Sequence, residues 1–185
     1  MKTTLVPTPL SGLLVVQVDP VVDERGFFVE SWNRRDFAAA GLDVDFVQDN
    51  HSRSGARVLR GLHYQDASAP LAKLVRCTLG SIFDVAVDIR ASSPTFGKWF
   101  AIELSAVNMR QLFLPAGFAH GFLTLSDVAE VQYKQSGYYV RAAEGNIVWN
   151  DPDIAIAWPL EDPILSPRDR NARSFKEYRL CPAFR

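Results

Sequence analysis

Short runs of alternating polar and apolar residues, each closed by Gly, Pro, Asn or Asp, recur along this chain and restrict its fold more than any other feature. The clearest run covers residues 82–90, in which Phe83, Val85 and Val87 would lie on one face of a strand and Asp84 on the other. Comparable runs cover residues 13–18, 74–79, 99–104, 111–114, 121–125, 129–135 and 145–149. Strands of this length and spacing predict two packed β-sheets, as in a sandwich or a barrel.

Helix is expected in only two short segments. Asn33 is a suitable N-cap for a helix that Gly41 would close. Near the end of the chain, Ser166 is a second candidate N-cap, followed by Pro167 at the first helical position and by Asp169 at the third. The sequence therefore predicts a mainly β fold with a few short helices.

Length and charge limit the class of protein. The chain has 185 residues, of which 48% are hydrophobic, so residues 1–185 are expected to form one domain with a full core. The 20 basic residues nearly balance the 21 acidic ones, which argues against a nucleic acid or an anionic membrane as partner. Neither a long apolar segment nor a signal-peptide core is apparent, and two cysteines are too few for a disulfide framework. A cytoplasmic location is expected.

Two histidine motifs lie where a metal-binding cupin barrel carries its ligands. Residues 115–120 read Pro-Ala-Gly-Phe-Ala-His, which is the form of the second cupin motif. The first motif retains His63, but Gln65 occupies the place of its second histidine and Lys73 lies where a carboxylate is wanted. Because a nearby ammonium repels a divalent cation, we expect no catalytic metal at these motifs.

Four residues with useful chemistry lie in or beside separate predicted strands: His63, Lys73, His120 and Tyr133. In a barrel, such residues can converge on one cavity. Tyr133 shares its strand face with Val131, as an inward-pointing residue should. Any one of the four could be an ordinary hydrogen-bonded core residue. Burying all of them together without a function would be costly, so we interpret them as a candidate catalytic site.

Arginines could supply the binding site for an anionic ligand. Arg25, Arg60 and Arg168 could each hold a phosphate oxygen, although each taken singly resembles a solvated surface charge. Regular alternation would place Arg60 and His63 on opposite faces of their strand. Both can line one cavity only if Gly61 marks a bulge or the strand ends there.

Several segments, in the same order, resemble the dTDP-4-dehydrorhamnose 3,5-epimerase family. They are residues 23–30, 46–52, 59–65, 73–76, 83–90, 93–97 and 115–122, and the resemblance extends from about residue 5 to about residue 170. It implies a homodimeric cupin jelly roll without cofactor or metal, which would invert C3 and C5 of a dTDP-linked 4-keto-6-deoxyhexose. The implied substrate is dTDP-4-dehydro-6-deoxy-D-glucose and the implied pathway is dTDP-rhamnose biosynthesis.

The resemblance also implies a role for each matching residue. His63 matches the base that removes a proton beside the C4 ketone, and Asp169 matches its carboxylate partner. Tyr133 matches the acid that returns a proton from the opposite face, and Lys73 matches the cation beside the enolate oxygen. Matches to substrate contacts, with Tyr139 at the position that stacks on thymine, are Arg25, Glu30, Gln48, Asp49, Asn50, Arg60, His120, Tyr139, Glu144 and Arg168.

Elementary chemistry supports these roles but leaves alternatives open. A proton beside a ketone is acidic only because an enolate forms, so a cation at the carbonyl oxygen lowers the barrier. Asp169 could equally complete the cap of the helix that starts at Ser166. An epimerase acting at C3 alone could use the same residues. A metal-dependent cupin enzyme and a catalytically silent binding module for nucleotide sugars are the remaining alternatives.

Overall fold

A computed structural model describes residues 2–185, and strands account for most of its regular structure. The strands are β1 (Thr3–Pro7), β2 (Leu14–Val18), β3 (Val21–Asp23), β4 (Gly26–Phe28), β5 (Gln48–Gly55), β6 (Leu59–Gln65), β7 (Lys73–Leu79), β8 (Ser81–Asp88), β9 (Trp99–Ser105), β10 (Gln111–Leu114), β11 (Phe118–Thr124), β12 (Val128–Gln135) and β13 (Glu144–Asn146). The helices are α1 (Arg34–Ala39), α2 (Pro167–Arg170) and α3 (Phe175–Leu180), with a 3-10 turn at Arg141–Ala143.

The strands form two facing antiparallel sheets and a separate hairpin. One sheet has six strands in the order β1-β2-β10-β7-β12-β5, and the other has five in the order β13-β6-β11-β8-β9. Strands β3 and β4 pair only with each other. From β5 to β8, and again from β10 to β13, successive strands alternate between the two sheets. This winding is that of a double-stranded β-helix, so the predicted cupin-type jelly roll is confirmed.

The main core fills the space between the sheets. Val75 and Val131 of the six-stranded sheet meet Ile82, Ala86 and other apolar residues of the five-stranded sheet. Each sheet also has a covered outer face, which explains why β8 is buried on both sides. The C-terminal segment, including α3, packs on the five-stranded sheet, while α1 and the loop after it pack on the six-stranded sheet. The inner face therefore holds the main core and a group of polar side chains that includes His63, Lys73 and His120, and the space that they line is the candidate cavity.

Most predicted elements are confirmed, with one strand corrected and several missed. The predicted strand at 145–149 is only Glu144–Asn146, because the chain then leaves β6 and Val148 donates its backbone N–H to Arg173. Strands β3, β4 and β5 were not predicted, and strands β1 and β6 were expected only without bounds. Helix α3 was also missed, although Ser174 and Glu177 form a capping box at its start. Within residues 2–185, no helix is long and apolar enough to cross a membrane.

Candidate active site

A bulge in β6 turns both Arg60 and His63 toward the inner face. His63 pairs with His120 of β11 and Arg60 pairs with Phe122, so Gly121 opposes two residues of β6. The backbone at Gly61 has a φ of 137°, and a Cβ there would lie 2.5 Å from the Cα of Gly121. Only glycine fits such a close approach of two strands. Of the two alternatives, a bulge at Gly61 or an end of the strand there, the structure shows the bulge, which lets Arg60 and His63 face the same side.

His63 lies against a buried carboxylate from α2. The Nε2 of His63 is 2.5 Å from Oδ1 of Asp169, whose residue is 2% exposed. Burial raises the pKa of Asp169, but hydrogen bonds from His63 and Ser166 outweigh that effect and bring the pKa below its usual value. Asp169 also donates its backbone N–H to the Ser166 side chain, 3.1 Å away. The backbone of Asp169 thus serves the helix cap while its carboxylate orients the histidine ring.

Lys73 and Tyr133 line the opposite wall of the cavity. They lie on β7 and β12 of the six-stranded sheet, with the Lys73 Nζ 5.9 Å from the centre of the Tyr133 ring. Burial raises the pKa of Tyr133, so its hydroxyl is protonated at neutral pH. Lys73 is half-buried, and the surrounding protein lowers its pKa to about 8. This wall therefore carries one proton donor, Tyr133, and one ammonium group, Lys73, whose charge changes near pH 8.

A second histidine–carboxylate pair lies beside the first. The Nε2 of His120 is 2.8 Å from Oδ1 of Asp84, and both side chains are buried. Sequence reasoning gave no role to Asp84. A signal was present, because Asp84 lies in a strand rich in apolar residues, where a buried carboxylate needs a specific partner. His120 is the cross-strand neighbour of His63, so the two pairs lie side by side on the five-stranded sheet.

A polar network closes one end of the cavity. Gln48 donates to the Asn50 side chain at 2.9 Å and accepts the backbone N–H of Tyr139 at 3.1 Å. The Tyr139 hydroxyl donates to Glu144 at 2.7 Å, and Glu144 pairs with Arg168 at 2.7 Å. Five residues predicted from the resemblance are thus joined through hydrogen bonds and an ion pair.

Arg60 and several unpaired polar atoms add to the polar lining. The Arg60 Nε donates to the Ser54 hydroxyl at 3.0 Å, and the charge of Arg60 acts on Tyr133. Buried polar atoms without a partner belong to Asn50, Ser52, Asp84, Thr124 and Gln135. All five are neighbours or register partners of residues that face the space between the sheets. Of these, Asn50 is the register partner of Tyr133 and Asp84 pairs with His120, so these two unpaired groups lie beside site residues, where a polar ligand could complete them.

Three predicted substrate contacts lie elsewhere in the described chain. Asp49 is on the opposite face of β5 from Asn50 and pairs with Lys134 at 2.8 Å. Arg25 lies on the β3–β4 hairpin, where its 85% exposed side chain pairs with Asp23. Glu30 is half-buried just after β4. Their contacts with substrate stay predictions.

Gln65, which occupies the place of a metal-binding histidine, has a structural role. Gln65 donates to the carbonyl of Ala69 at 2.9 Å and accepts the backbone N–H of Val140 at 2.7 Å. Gln65 thereby holds the loop at Ala69 and the loop at Val140 together. Across residues 2–185, no group of three His, Cys, Asp or Glu side chains is arranged to hold a metal ion.

A surface cavity lies next to the group of His63, Lys73, His120 and Tyr133 but does not coincide with it. A cavity of about 230 Å³ lies against β5, β7 and β12, and its lining includes Arg76, Gln132 and Lys134. These residues alternate with the inward-facing ones, so the cavity opens on the outer face of the six-stranded sheet. Two site residues, Asn50 and Tyr133, also contribute to its lining, whereas His63, Lys73 and His120 do not.

Comparison with known proteins finds close relatives along almost the whole chain. The family model described as dTDP-4-dehydrorhamnose 3,5-epimerase matches residues 7–177. The Pseudomonas aeruginosa dTDP-4-dehydrorhamnose 3,5-epimerase is 55% identical, covering 88% of this chain and 92% of its own. A Legionella pneumophila dTDP-6-deoxy-D-glucose-3,5-epimerase in complex with dTDP-4-keto-L-rhamnose is 44% identical, with a TM-score of 0.89 and 94% and 93% of the two chains covered.

The structure of a monoepimerase is also similar to this chain. The 3'-monoepimerase of Streptomyces bikiniensis, in complex with dTDP-quinovose, has a TM-score of 0.91. It is 34% identical, with 96% of this chain and 91% of that one covered. The fold is therefore shared between the two reaction types, while sequence similarity is higher for the enzymes that act at both carbons.

Proposed function

Because this chain belongs to the dTDP-4-dehydrorhamnose 3,5-epimerase family, we propose that its cavity inverts C3 and C5 of dTDP-4-dehydro-6-deoxy-D-glucose, giving dTDP-4-dehydro-L-rhamnose. One observation carries the proposal. His63 lies on the five-stranded sheet and Tyr133 on the six-stranded sheet, so a base and an acid face each other across the cavity. Inversion requires proton removal on one face of the sugar and proton delivery on the other, and these walls supply both.

His63 is the proposed base. A carboxylate can only accept a hydrogen bond, so Asp169 selects the tautomer in which Nε2 of His63 carries the proton. The lone pair is then on Nδ1, which removes the proton from the carbon beside the ketone. Asp169 also stabilises the imidazolium that forms, because its own pKa is lowered and it stays ionised.

Lys73 is the proposed cation at the C4 oxygen. Charge moves onto that oxygen as the enolate forms, and a cation already in place stabilises it without reorganisation. A single preorganised donor of this kind typically lowers a barrier by about 3 to 4 kcal/mol. The pKa of about 8 leaves Lys73 mostly charged at neutral pH.

Tyr133 is the proposed acid. Its raised pKa keeps the phenol protonated, and an enolate carbon is basic enough to take that proton. When the enolate is protonated from the Tyr133 side, the centre is inverted. The same pair of residues acts at C3 and at C5, since both carbons are adjacent to the C4 ketone.

The nucleotide half of the substrate is assigned to the network at the end of the cavity. Arg60 and Arg168 are suited to phosphate oxygens because a guanidinium offers two parallel donors. Tyr139 is 48% exposed, so its ring is available for stacking on a base. Gln48 and Asn50 supply amide donors and acceptors beside it.

The reaction type is tested by incubating the substrate in D₂O with the enzyme. Deuterium at both C3 and C5 of the product is expected, measured by NMR together with product stereochemistry. Label and inversion at C3 alone would reassign the chain to C3-only epimerases, an alternative that the higher identity to the 3,5-epimerases does not favour. Activity that a chelator abolishes, with stoichiometric metal in the protein, would point to a metal-dependent cupin enzyme.

The role of the cavity is tested with His63→Ala. Turnover is expected to fall by at least roughly 10²-fold, because general base catalysis is lost. Binding of dTDP, measured by calorimetry, should persist, since the nucleotide contacts are other residues. Undiminished turnover would refute the assignment of this cavity, and a wild type that binds dTDP without turnover would indicate a silent binding module.

A homodimer is part of the proposal. Four apolar residues of the β3–β4 hairpin are more than half exposed: Val21, Val22, Phe27 and Phe28. Exposed apolar surface of this kind is typical of a protein interface. Arg25 lies in the same hairpin, so a dimer that buries the hairpin would carry Arg25 toward the second copy. Phe28→Glu is expected to produce monomers in sedimentation, and an unchanged dimer would exclude this hairpin as the interface.

A cytoplasmic location stays a prediction.

A further inference from the structure

Asp84 is a buried carboxylate in the middle of the active-site wall. It lies on β8 and is 0% exposed. Its register partner on β11 is Phe122, which faces the core between the sheets, so Asp84 faces the same side. Burial of a carboxylate is expensive unless its oxygens are paired.

The pairing of Asp84 is incomplete. One oxygen accepts the His120 Nε2–H at 2.8 Å, while Oδ2 is buried without a hydrogen-bond partner. Asp88, four residues along the same strand and also 0% exposed, provides a contrast. Arg90 and the hydroxyls of Ser93 and Thr95 donate to its oxygens at 2.6 to 2.9 Å. Asp88 therefore has the contacts of a structural carboxylate, and Asp84 does not.

The unpaired charge of Asp84 acts on Lys73. Burial lowers the pKa of Lys73, whereas the charges of Asp84 and Glu144 raise it and the charge of Arg168 lowers it again. The ring of Tyr133 is the other ionisable group beside the ammonium. Lys73 lies on the sheet that faces Asp84 and makes no ion pair within 4 Å among the salt bridges of residues 2–185. Asp84 can therefore act on the Lys73 charge only across the space between the sheets.

We propose that Asp84 is a positioning residue of the epimerase site, which fixes the His120 ring and keeps the Lys73 ammonium charged beside the C4 oxygen of the substrate. With Nε2–H of His120 held by Asp84, its Nδ1 is the atom available to the substrate. Asp84 itself does not contact the sugar. The inference rests on the proposed role of Lys73 at the enolate oxygen.

The test is the pH dependence of kcat/KM for Asp84→Asn. Asparagine has the same shape, and its amide oxygen still accepts the hydrogen bond from His120, so mainly the charge is removed. Loss of a nearby opposite charge lowers the pKa of Lys73 by about one unit or more. If the pKa falls from about 8 to about 7, the variant loses roughly fivefold in kcat/KM at pH 8 but almost nothing at pH 6.

The ratio of variant to wild type is the informative quantity, because pH effects that the two enzymes share cancel in it. A ratio that is unchanged from pH 6 to pH 9, whether near one or uniformly low, overturns the proposal, since a purely structural role lowers activity at every pH. Asp84→Thr also removes the charge and suits a strand, so it repeats the test if Asp84→Asn folds poorly. Asp88→Asn is the matched control. It should lower the free energy of unfolding without making the ratio of kcat/KM values depend on pH.

Lys73→Met separates this inference from the proposed function on which it rests. Wild-type activity in Lys73→Met would refute the proposed site as a whole. Loss of activity in Lys73→Met together with a flat ratio for Asp84→Asn would refute the role of Asp84 alone. In the Lys73→Met background, Asp84→Asn should add no further pH dependence, because both substitutions act on the same charge.

Discussion

Tyr133→Phe removes one hydroxyl and should separate proton exchange from inversion. The ring packs against the core between the sheets, and phenylalanine preserves that packing. Within residues 2–185 no protein group is hydrogen-bonded to the hydroxyl, so the free energy of unfolding should change by no more than about 0.5 kcal/mol. His63 and Asp169 remain in place, so the base can still remove a proton.

The expected kinetic effect is much larger than the effect on stability. General acid catalysis typically contributes about 10²- to 10⁴-fold, which corresponds to roughly 2.7 to 5.4 kcal/mol of barrier. Without a donor on the second face, the imidazolium of His63 returns a proton to the face from which it was taken. In D₂O the substrate should therefore gain deuterium at C3 while the epimerised product forms at least about 10²-fold more slowly.

The assay follows deuterium content by mass spectrometry and configuration by NMR in the same samples. Tyr178→Phe is the matched control, because it removes a buried hydroxyl that donates to the Ile89 carbonyl at 2.7 Å and lies outside the cavity. It should lose about 1 to 3 kcal/mol of stability and retain epimerase activity. Inversion by Tyr133→Phe within threefold of the wild-type rate would refute the assignment of Tyr133 as the acid.

Three further outcomes follow from the same contacts. The pKa of Asp169 is lowered in the folded state, so its contribution to stability is present above the unfolded pKa of about 3.9 and is lost as pH falls through the folded value. In urea unfolding, the stability difference between wild type and Asp169→Asn should therefore shrink below about pH 4, and a difference that grows there contradicts the pairing with His63. Gly61→Ala should lose about 1 to 3 kcal/mol and most of its activity, because the new Cβ collides with the backbone of Gly121; a fully active variant would mean that the bulge is dispensable. Asp88→Asn should lower the unfolding free energy by about 3 kcal/mol, because the ion pair with Arg90 is lost. An unchanged denaturation midpoint would contradict a structural role for Asp88.

Local patterns predicted the elements whose two faces differ in chemistry. The runs at 13–18, 74–79 and 129–135 all became strands, because a strand repeats its environment every two residues. Strand β5 was missed because its inner face is itself polar, with Gln48, Asn50 and Ser52 in the space where an apolar row was expected. A strand that lines a polar cavity cannot be distinguished from a loop by hydrophobic alternation.

The site was predictable in its chemistry and only partly in its geometry. His63, Lys73, His120 and Tyr133 were proposed to share a cavity, and they occupy the inner walls of the two sheets. The sequence could not decide the function of Asp169, since the same residue caps a helix with its backbone and holds His63 with its carboxylate. A contact between residues 106 positions apart exists only once the chain has folded.

Sequence alone predicted the class of fold, from a repeat of two along the strands, and placed a lysine at position 73 where a metal site needs a carboxylate. The acid and the base were proposed from the family resemblance and stay predictions. Only the tertiary structure decided which groups face each other. The bulge at Gly61, the placement of His63 and Tyr133 on opposite sheets, and the unpaired oxygen of Asp84 depend on strand register. Register is set by pairing between distant segments, and a shift of one residue would turn every side chain of a strand to the other face.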